Sequence, residues 1–279
     1  MNLDFFERLR NAQIATNSLV CVGLDPDLEK IPDFLGKQYK SPEAIVTAFN
    51  RAIIQATAPY ACAYKLNSAF YESMGGSGFD VLKTTLESIP KDKIRIIDAK
   101  RGDIGNTASK YAYSIFNLLD ADGCTVAPYM GLDAVEPFLA YEGRAVFILV
   151  RTSNPSSHQL QSLMADGHSL YEHVARLAFT WGENLPGSVG FVVGATNPAE
   201  LTHLREEYPD TPFLIPGIGA QGGSIATVGN VAHSKGLVLV NSSRGILYAS
   251  AGENFDKMAA KAAMELRNIL NKAIHDHAD

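Results

Sequence analysis

The chain predicts a (β/α)8 barrel, and three observations lead there. Eight short runs rich in Val, Ile and Leu recur along its 279 residues. Segments of helical character lie between them, and no linker, repeat or low-complexity stretch divides the sequence. Barrels of this kind take about 250 residues, so a single α/β barrel domain over 1–279 is expected. An open doubly wound sheet is the alternative that the same alternation allows.

The first strand is read at 19–25, LVCVGLD, followed by a long insert at 26–40. Ser41-Pro42 then opens a helix at 41–57, with serine as its cap and proline in the first turn. The second strand, CAYKLN (62–67), precedes a helix at 77–89, and the third, IRIIDA (94–99), precedes one at 105–119. GCTVAP (123–128) is the fourth strand, with a weaker helix at 131–140. AVFILVR (145–151) is the fifth, followed by a second insert at 152–167 and a helix at 168–184. The sixth, VGFVVGA (189–195), turns through GATNP into a helix at 199–208, with Asn197 expected as its cap. PFLIPGI (212–218) and GLVLVNS (236–242) complete the set, with a weaker helix at 223–234 and a long final helix at 253–275. These runs do not alternate apolar with polar, which is how parallel strands covered on both faces read.

Apolar residues make up 46% and charged residues 19%, enough for a large core and too apolar for disorder. A net charge of −6 argues against a nucleic-acid partner, while leaving room for small anions at a local positive cluster. No apolar run approaches the roughly 20 residues that span a bilayer, and the start MNLDFFERLR lacks a signal-peptide core, so a cytoplasmic protein is expected. Cys21, Cys62 and Cys124 lie far apart in strand-like segments and read as small buried hydrophobes in a reducing compartment. The histidines fall mostly in expected loops or on helix faces, so no metal is expected.

In such a barrel the site lies where the strands end at their carboxyl side. The charges obey that rule. Asp25 ends the first strand, Lys65 and Asn67 lie on the second, and Asp98 and Lys100 end the third. Thr152, Ser153 and Asn154 follow the fifth. IIDAKRGDIG (96–105) places Asp98, Lys100, Arg101 and Asp103 within six residues, which is either a solvated loop or a charged array held for chemistry. Lys65, a lone lysine in an apolar strand, favours the second reading, because a buried ammonium needs a partner and Asp98 on the neighbouring strand supplies one. The turns PGIGAQGG (216–223) and NSSRGI (241–246) follow the last two strands, where barrels often bind phosphate, and Arg244 offers a bidentate grip.

Taken together, GLDPD, AYKLN, DAKRGDI, PGIGAQ and SSRGI resemble the orotidine 5′-phosphate decarboxylase family, in its longer bacterial-type branch. The resemblance spans about 19–250. It implies a lyase of pyrimidine biosynthesis that converts orotidine 5′-phosphate to uridine 5′-phosphate and carbon dioxide without any cofactor. It assigns Lys100 as proton donor to C6 of the pyrimidine, Asp98 to the substrate carboxylate, and Lys65 to the array and a ribose hydroxyl. Asp25 is assigned to ribose hydroxyls, Ser153 to the pyrimidine edge, and Gln221, Arg244 and Gly245 to phosphate. Asn67 is a further substrate-binding candidate. Asp103, with Ile104 and Thr107, is expected to enter the active site of a second subunit, which implies a homodimer with shared sites. The loop after the seventh strand is short for a lid, so the insert 152–167 is expected to take over part of the closing role.

Rival readings remain open on the residues alone: a metal-dependent keto-sugar-phosphate decarboxylase, a Schiff-base aldolase using Lys65 or Lys100, or a phosphate-ligand binding protein without catalysis. Carboxylates beside the lysines oppose the aldolase, since they keep an amine protonated.

Overall fold

The computed structural model describes residues 4–218, 223–233 and 236–276. Eight strands close into a barrel: β1 (Val20–Gly23), β2 (Ala63–Asn67), β3 (Ile94–Arg101), β4 (Gly123–Val126), β5 (Ala145–Arg151), β6 (Ser188–Val193), β7 (Phe213–Ile215) and β8 (Val238–Ser242). Each pairs in parallel with its sequence neighbours, and β1 closes the ring on β8. All eight expected strands are present, and the open sheet is excluded.

The expected helices form where the sequence places them. Ser41 caps Pro42–Thr57 by accepting from the Ala44 amide. The helix from Gly105 is regular to Tyr113 and widens into a π turn over Ser114–Leu118. Asn197 differs from expectation. It occupies the cap position of Pro198–Glu207, but its side chain donates to the Thr152 carbonyl, tying this turn to the end of β5 instead.

Among the elements that the sequence reading did not anticipate, two shape the two ends of the barrel most. Within the insert, Met164–Ala165 pairs antiparallel with His168–Ser169 around Asp166 and Gly167, both with positive φ. An Asp-Gly pair is what a two-residue hairpin turn needs, since both positions sit in the left-handed region. The second element is an amino-terminal helix, Phe5–Thr16, capped by Asp4. Its Phe5, Leu9 and Ala12 recur at helical spacing and are buried against the lower barrel interior, among Cys21, Cys62, Phe147, Val192, Leu214 and Leu239. Phe5 meets Phe147 edge-on at 5.9 Å between ring centres. Arg8 of the same helix reaches Asp122 at 2.5 Å, a carboxylate that also accepts from the Arg95 amide.

The helix therefore closes the amino-terminal mouth of the barrel, leaving the opposite mouth to hold the site. All three cysteines are buried and free, and burial pushes the Cys21 thiol up to about 12, which keeps it protonated. Among the described residues no helix is long and apolar enough to cross a membrane. Truncating Phe5 removes the aromatic contact and opens a cavity in this plug. Phe5→Ala is expected to cost about 3–5 kcal/mol in chemical unfolding; a loss under about 1 kcal/mol would mean that the helix does not seal the barrel.

Candidate active site

Register brings four charged residues together at the carboxyl ends of β1, β2 and β3. Gly23 of β1 lies opposite Lys65, and Asn67 lies opposite Asp98. Lys65 Nζ is 2.8 Å from Asp98 Oδ2 and 4.0 Å from Asp25 Oδ1. Lys100 Nζ is 2.6 Å from Asp98 Oδ1. The result is a chain of alternating charge, Asp25–Lys65–Asp98–Lys100, formed wholly within one subunit.

Asp98 and Lys100 are two apart, a spacing that would put both on one face of a regular strand. They do meet, by another route. The β3–β4 register shifts between Ile97 and Arg101, and Lys100 adopts a left-handed backbone with φ of 47°. A bulge of this kind re-aims a side chain, and here it turns the Lys100 ammonium back onto Asp98. Arg101 leaves the array altogether, pairing with Glu72 and lying 4.9 Å from the Tyr111 ring centre.

Lys65 and Asp98 are both buried, while the Lys100 side chain is half exposed. Burial alone would lower the Lys65 pKa, but Asp25 and Asp98 outweigh it and hold the lysine above its ordinary value. Burial would likewise raise Asp98, and Lys65 with Lys100 overcome it, holding the carboxyl well below the usual carboxylate range. Both groups stay ionised across the neutral range. Two residues that sequence reasoning missed brace the array. Thr125 Oγ1 donates to Asp98 Oδ1 at 2.8 Å. Tyr248, whose hydroxyl burial pushes up to about 12, donates to the Asp25 carbonyl and accepts from the Asp27 amide. Tyr248 lies one helical turn past Arg244, the only sequence signal that pointed to it.

Beside Asp25 opens a cavity of about 290 Å³, lined by Lys30, Phe70, Pro216–Ile218, Ser242–Gly245 and Tyr248. Gly217 has φ of 98°, a conformation that favours glycine. Gly23 lets β8 approach, since a Cβ there would lie 1.9 Å from Ser243 Oγ. Arg244 and Gly245 are exposed at the cavity, and the Arg244 guanidinium has no partner among the described residues. Gln221 lies outside the described residues.

Other expected site residues fall elsewhere. Asn67 uses its Oδ1 to cap Ser68–Glu72 by accepting from Ala69, and its amide N–H donates to Asp25. Ser153 lines a separate recess with Arg151, Asn154, Thr196 and Asn197. The insert beside it is tied down, because Gln161 accepts from the Thr152 amide and donates to the Thr152 hydroxyl. Asp103 Oδ1 accepts only the Ile104 amide among the described residues, and Ile104 and Thr107 are exposed. These three stand apart from the array of their own chain.

Because the Asp98 value is depressed on folding, its stabilisation is present above the unfolded carboxylate value of about 4 and is lost as pH falls through the folded one. Lys65 behaves oppositely: its contribution is present below about 10.4 and is lost as pH rises through its raised folded value. Asp98→Asn is expected to cost about 3 kcal/mol at pH 7, as for a broken buried pair. In urea unfolding that gap should narrow at pH 3, and an undiminished gap would discard the electrostatic account.

Residues 18–255 match the model of the orotidine 5′-phosphate decarboxylase / HUMPS family. Orotidine 5′-phosphate decarboxylase of Dehalococcoides mccartyi (strain CBDB1) is 46% identical over 275 residues, covering 96% of this chain and 98% of that one. Among solved structures, OMP decarboxylase of Leishmania donovani superposes with a TM-score of 0.80 at 37% identity, covering 97% of this chain and all of the other. UMP synthase of the same organism matches with a TM-score of 0.82 at 38% identity, over 97% of this chain and 57% of that longer one. The chain belongs to the orotidine 5′-phosphate decarboxylase / HUMPS family.

Proposed function

We propose that this chain is an orotidine 5′-phosphate decarboxylase that works by fixed charge, without a cofactor. The observation that carries the reading is the buried Asp25–Lys65–Asp98–Lys100 chain beside a cavity that ends at Arg244. The relatives' names supply the substrate, and the arrangement suits it. Phosphate would be held by Arg244, Gly245 and Gln221, ribose hydroxyls by Asp25 and Lys65, and the pyrimidine edge by Ser153.

The bond from C6 to the carboxylate breaks heterolytically, leaving its electron pair on C6 in the ring plane, where no π system delocalises it. Carbon dioxide departs. The Lys100 ammonium then donates a proton to C6, forming the new C–H bond, and the neutral amine recovers a proton from solvent. An ammonium fixed beside the developing carbanion acts where charge appears in the transition state, the most productive place for binding energy. At an effective dielectric near 20, one such charge at ~4 Å is worth roughly 4 kcal/mol. Asp98 opposes the substrate carboxylate and is relieved as carbon dioxide leaves. Grip on the distant phosphate offsets the cost of that arrangement.

A homodimer would complete the site, with Asp103, Ile104 and Thr107 of each subunit entering the other. Support comes from the surface around them. Ile104, Tyr113, Tyr129 and Met130 are all about half exposed or more, and the helix carrying Tyr113 packs against the segment from Leu132. Exposed apolar residues on neighbouring segments are what an association surface presents.

Purified protein in EDTA is expected to remove the orotate absorbance of orotidine 5′-phosphate, and Lys100→Ala to slow this by at least about a thousandfold. Undiminished turnover by Lys100→Ala would remove the lysine from the chemistry, and dependence on added metal would favour the keto-sugar-phosphate type of reaction. For the shared site, inactive Asp103→Ala and Lys100→Ala subunits are mixed. One intact site per heterodimer predicts recovery of about a quarter of wild-type activity. No recovery after verified subunit exchange would place Asp103 in its own subunit's site or outside the chemistry.

A further inference from the structure

Thr125 occupies a position that no sequence signal singled out. It is fully buried on β4, at 1% exposure. The ladder to β3 runs regularly to Ile97 opposite Cys124 and resumes only at Arg101 opposite Val126. Asp98, Ala99 and Lys100 are therefore bulged against Thr125 alone. In that gap the backbone amide of Lys100 has no ladder carbonyl to meet, and it donates instead to Thr125 Oγ1 at 3.0 Å. The same oxygen is 2.8 Å from Asp98 Oδ1.

The direction of these bonds follows from chemistry. An amide is only a donor, so the hydroxyl must accept from Lys100 and must send its own proton to the ionised Asp98. One small side chain thus fixes the backbone of the lysine and the carboxylate that its ammonium touches. Both need fixing. A lysine at φ of 47° lies in the left-handed region that residues with a side chain seldom adopt, and it persists only where its surroundings hold it. Asp98 is then locked by three donors: Lys65 on Oδ2, and Lys100 with Thr125 on Oδ1.

We propose that Thr125 is a positioning residue for the reaction, holding the bulge so that the Lys100 ammonium and the Asp98 carboxylate stay in reactive register. The proposal rests on the decarboxylase reading for its rate consequence, though the anchoring geometry can be tested without it. Misplacing a reacting group by about 1 Å costs on the order of a hundredfold in rate. The phosphate end lies on β8 and its loop, remote from β4, so ground-state binding of a nucleotide is expected to be spared.

The test compares wild type with Thr125→Val, which keeps the volume and removes the hydroxyl, with Thr125→Ala should valine not fold, and with Thr125→Ser, which restores the hydroxyl. Turnover of orotidine 5′-phosphate, the dissociation constant of uridine 5′-phosphate and hydrogen exchange at the Lys100 amide are measured on each. Loss of the hydroxyl is expected to lower kcat about ten- to a hundredfold, leave nucleotide affinity within about threefold, and speed Lys100 exchange at least about tenfold. Thr125→Ser is expected to return all three toward wild type. Turnover within threefold of wild type in Thr125→Val would overturn the proposal, as would serine failing to rescue, or equal losses of affinity and rate. A wild type that leaves orotidine 5′-phosphate untouched, while Lys100 exchange still responds, would overturn the decarboxylase reading and uphold the anchoring geometry.

Discussion

Lys65 is the constraint around which the rest of the molecule is arranged. An ammonium buried in an apolar barrel is expensive, and the cost is offset only when opposite charges lie within contact range and remain ionised. Asp98 at 2.8 Å and Asp25 at 4.0 Å meet that condition. They come from the two strands flanking β2, so the array exists only when the barrel is in register. A one-residue slip of β3 would turn Asp98 to the opposite face and leave Lys65 unpaired in the interior. Local charge and global topology are therefore the same requirement seen at two scales. Asp98 in turn recruits Lys100, Thr125 holds the bulge, and Tyr248, just past β8, holds Asp25 across the seam between β8 and β1.

Much of the architecture was legible because parallel strands covered on both faces leave a strong imprint: short Val, Ile and Leu runs at barrel spacing. The charged residues were legible because they stood where apolar runs should have ended quietly, Lys65 above all. What escaped did so for identifiable reasons. MNLDFFERLR carries enough charge to look like a solvated start, and the helical spacing of Phe5, Leu9 and Ala12 shows its meaning only once the open barrel base is in view. Asp166-Gly167 was a usable hairpin signal hidden inside an insert. Asn197 is the right residue type for a helix cap, but its side-chain amide donates to the Thr152 carbonyl and no cap bond forms. Thr125 could not have been found from periodicity, since its importance lies in where the ladder stops being regular.

The site divides its labour in space. The alternating charges lie at the ends of β2 and β3, buried at Lys65 and Asp98, whereas Arg244 and the neighbouring glycines line an open cavity at β7 and β8. The first set is preorganised at the expense of strain and desolvation. The second is exposed, and the Arg244 guanidinium has no partner among the described residues. In the proposed reaction that separation would let contacts remote from the chemistry offset the cost of placing Asp98 against the substrate carboxylate.

The amino-terminal plug carries a consequence for how the chain acquires its structure. Phe5 and Leu9 bury themselves among residues as distant as Leu214 and Leu239, and Gln13 donates to the carbonyl of Val238. Asn271 likewise donates to the carbonyl of Asn17. This amino-terminal segment, made before any strand of the barrel, thus finds its seat only after the last strand has emerged. During synthesis its apolar face must wait, because contacts across such long separations form late and slowly. Barrel closure, docking of the plug and burial of Lys65 then converge near the end of folding, so partly made chains would carry neither a sealed base nor an assembled charge array.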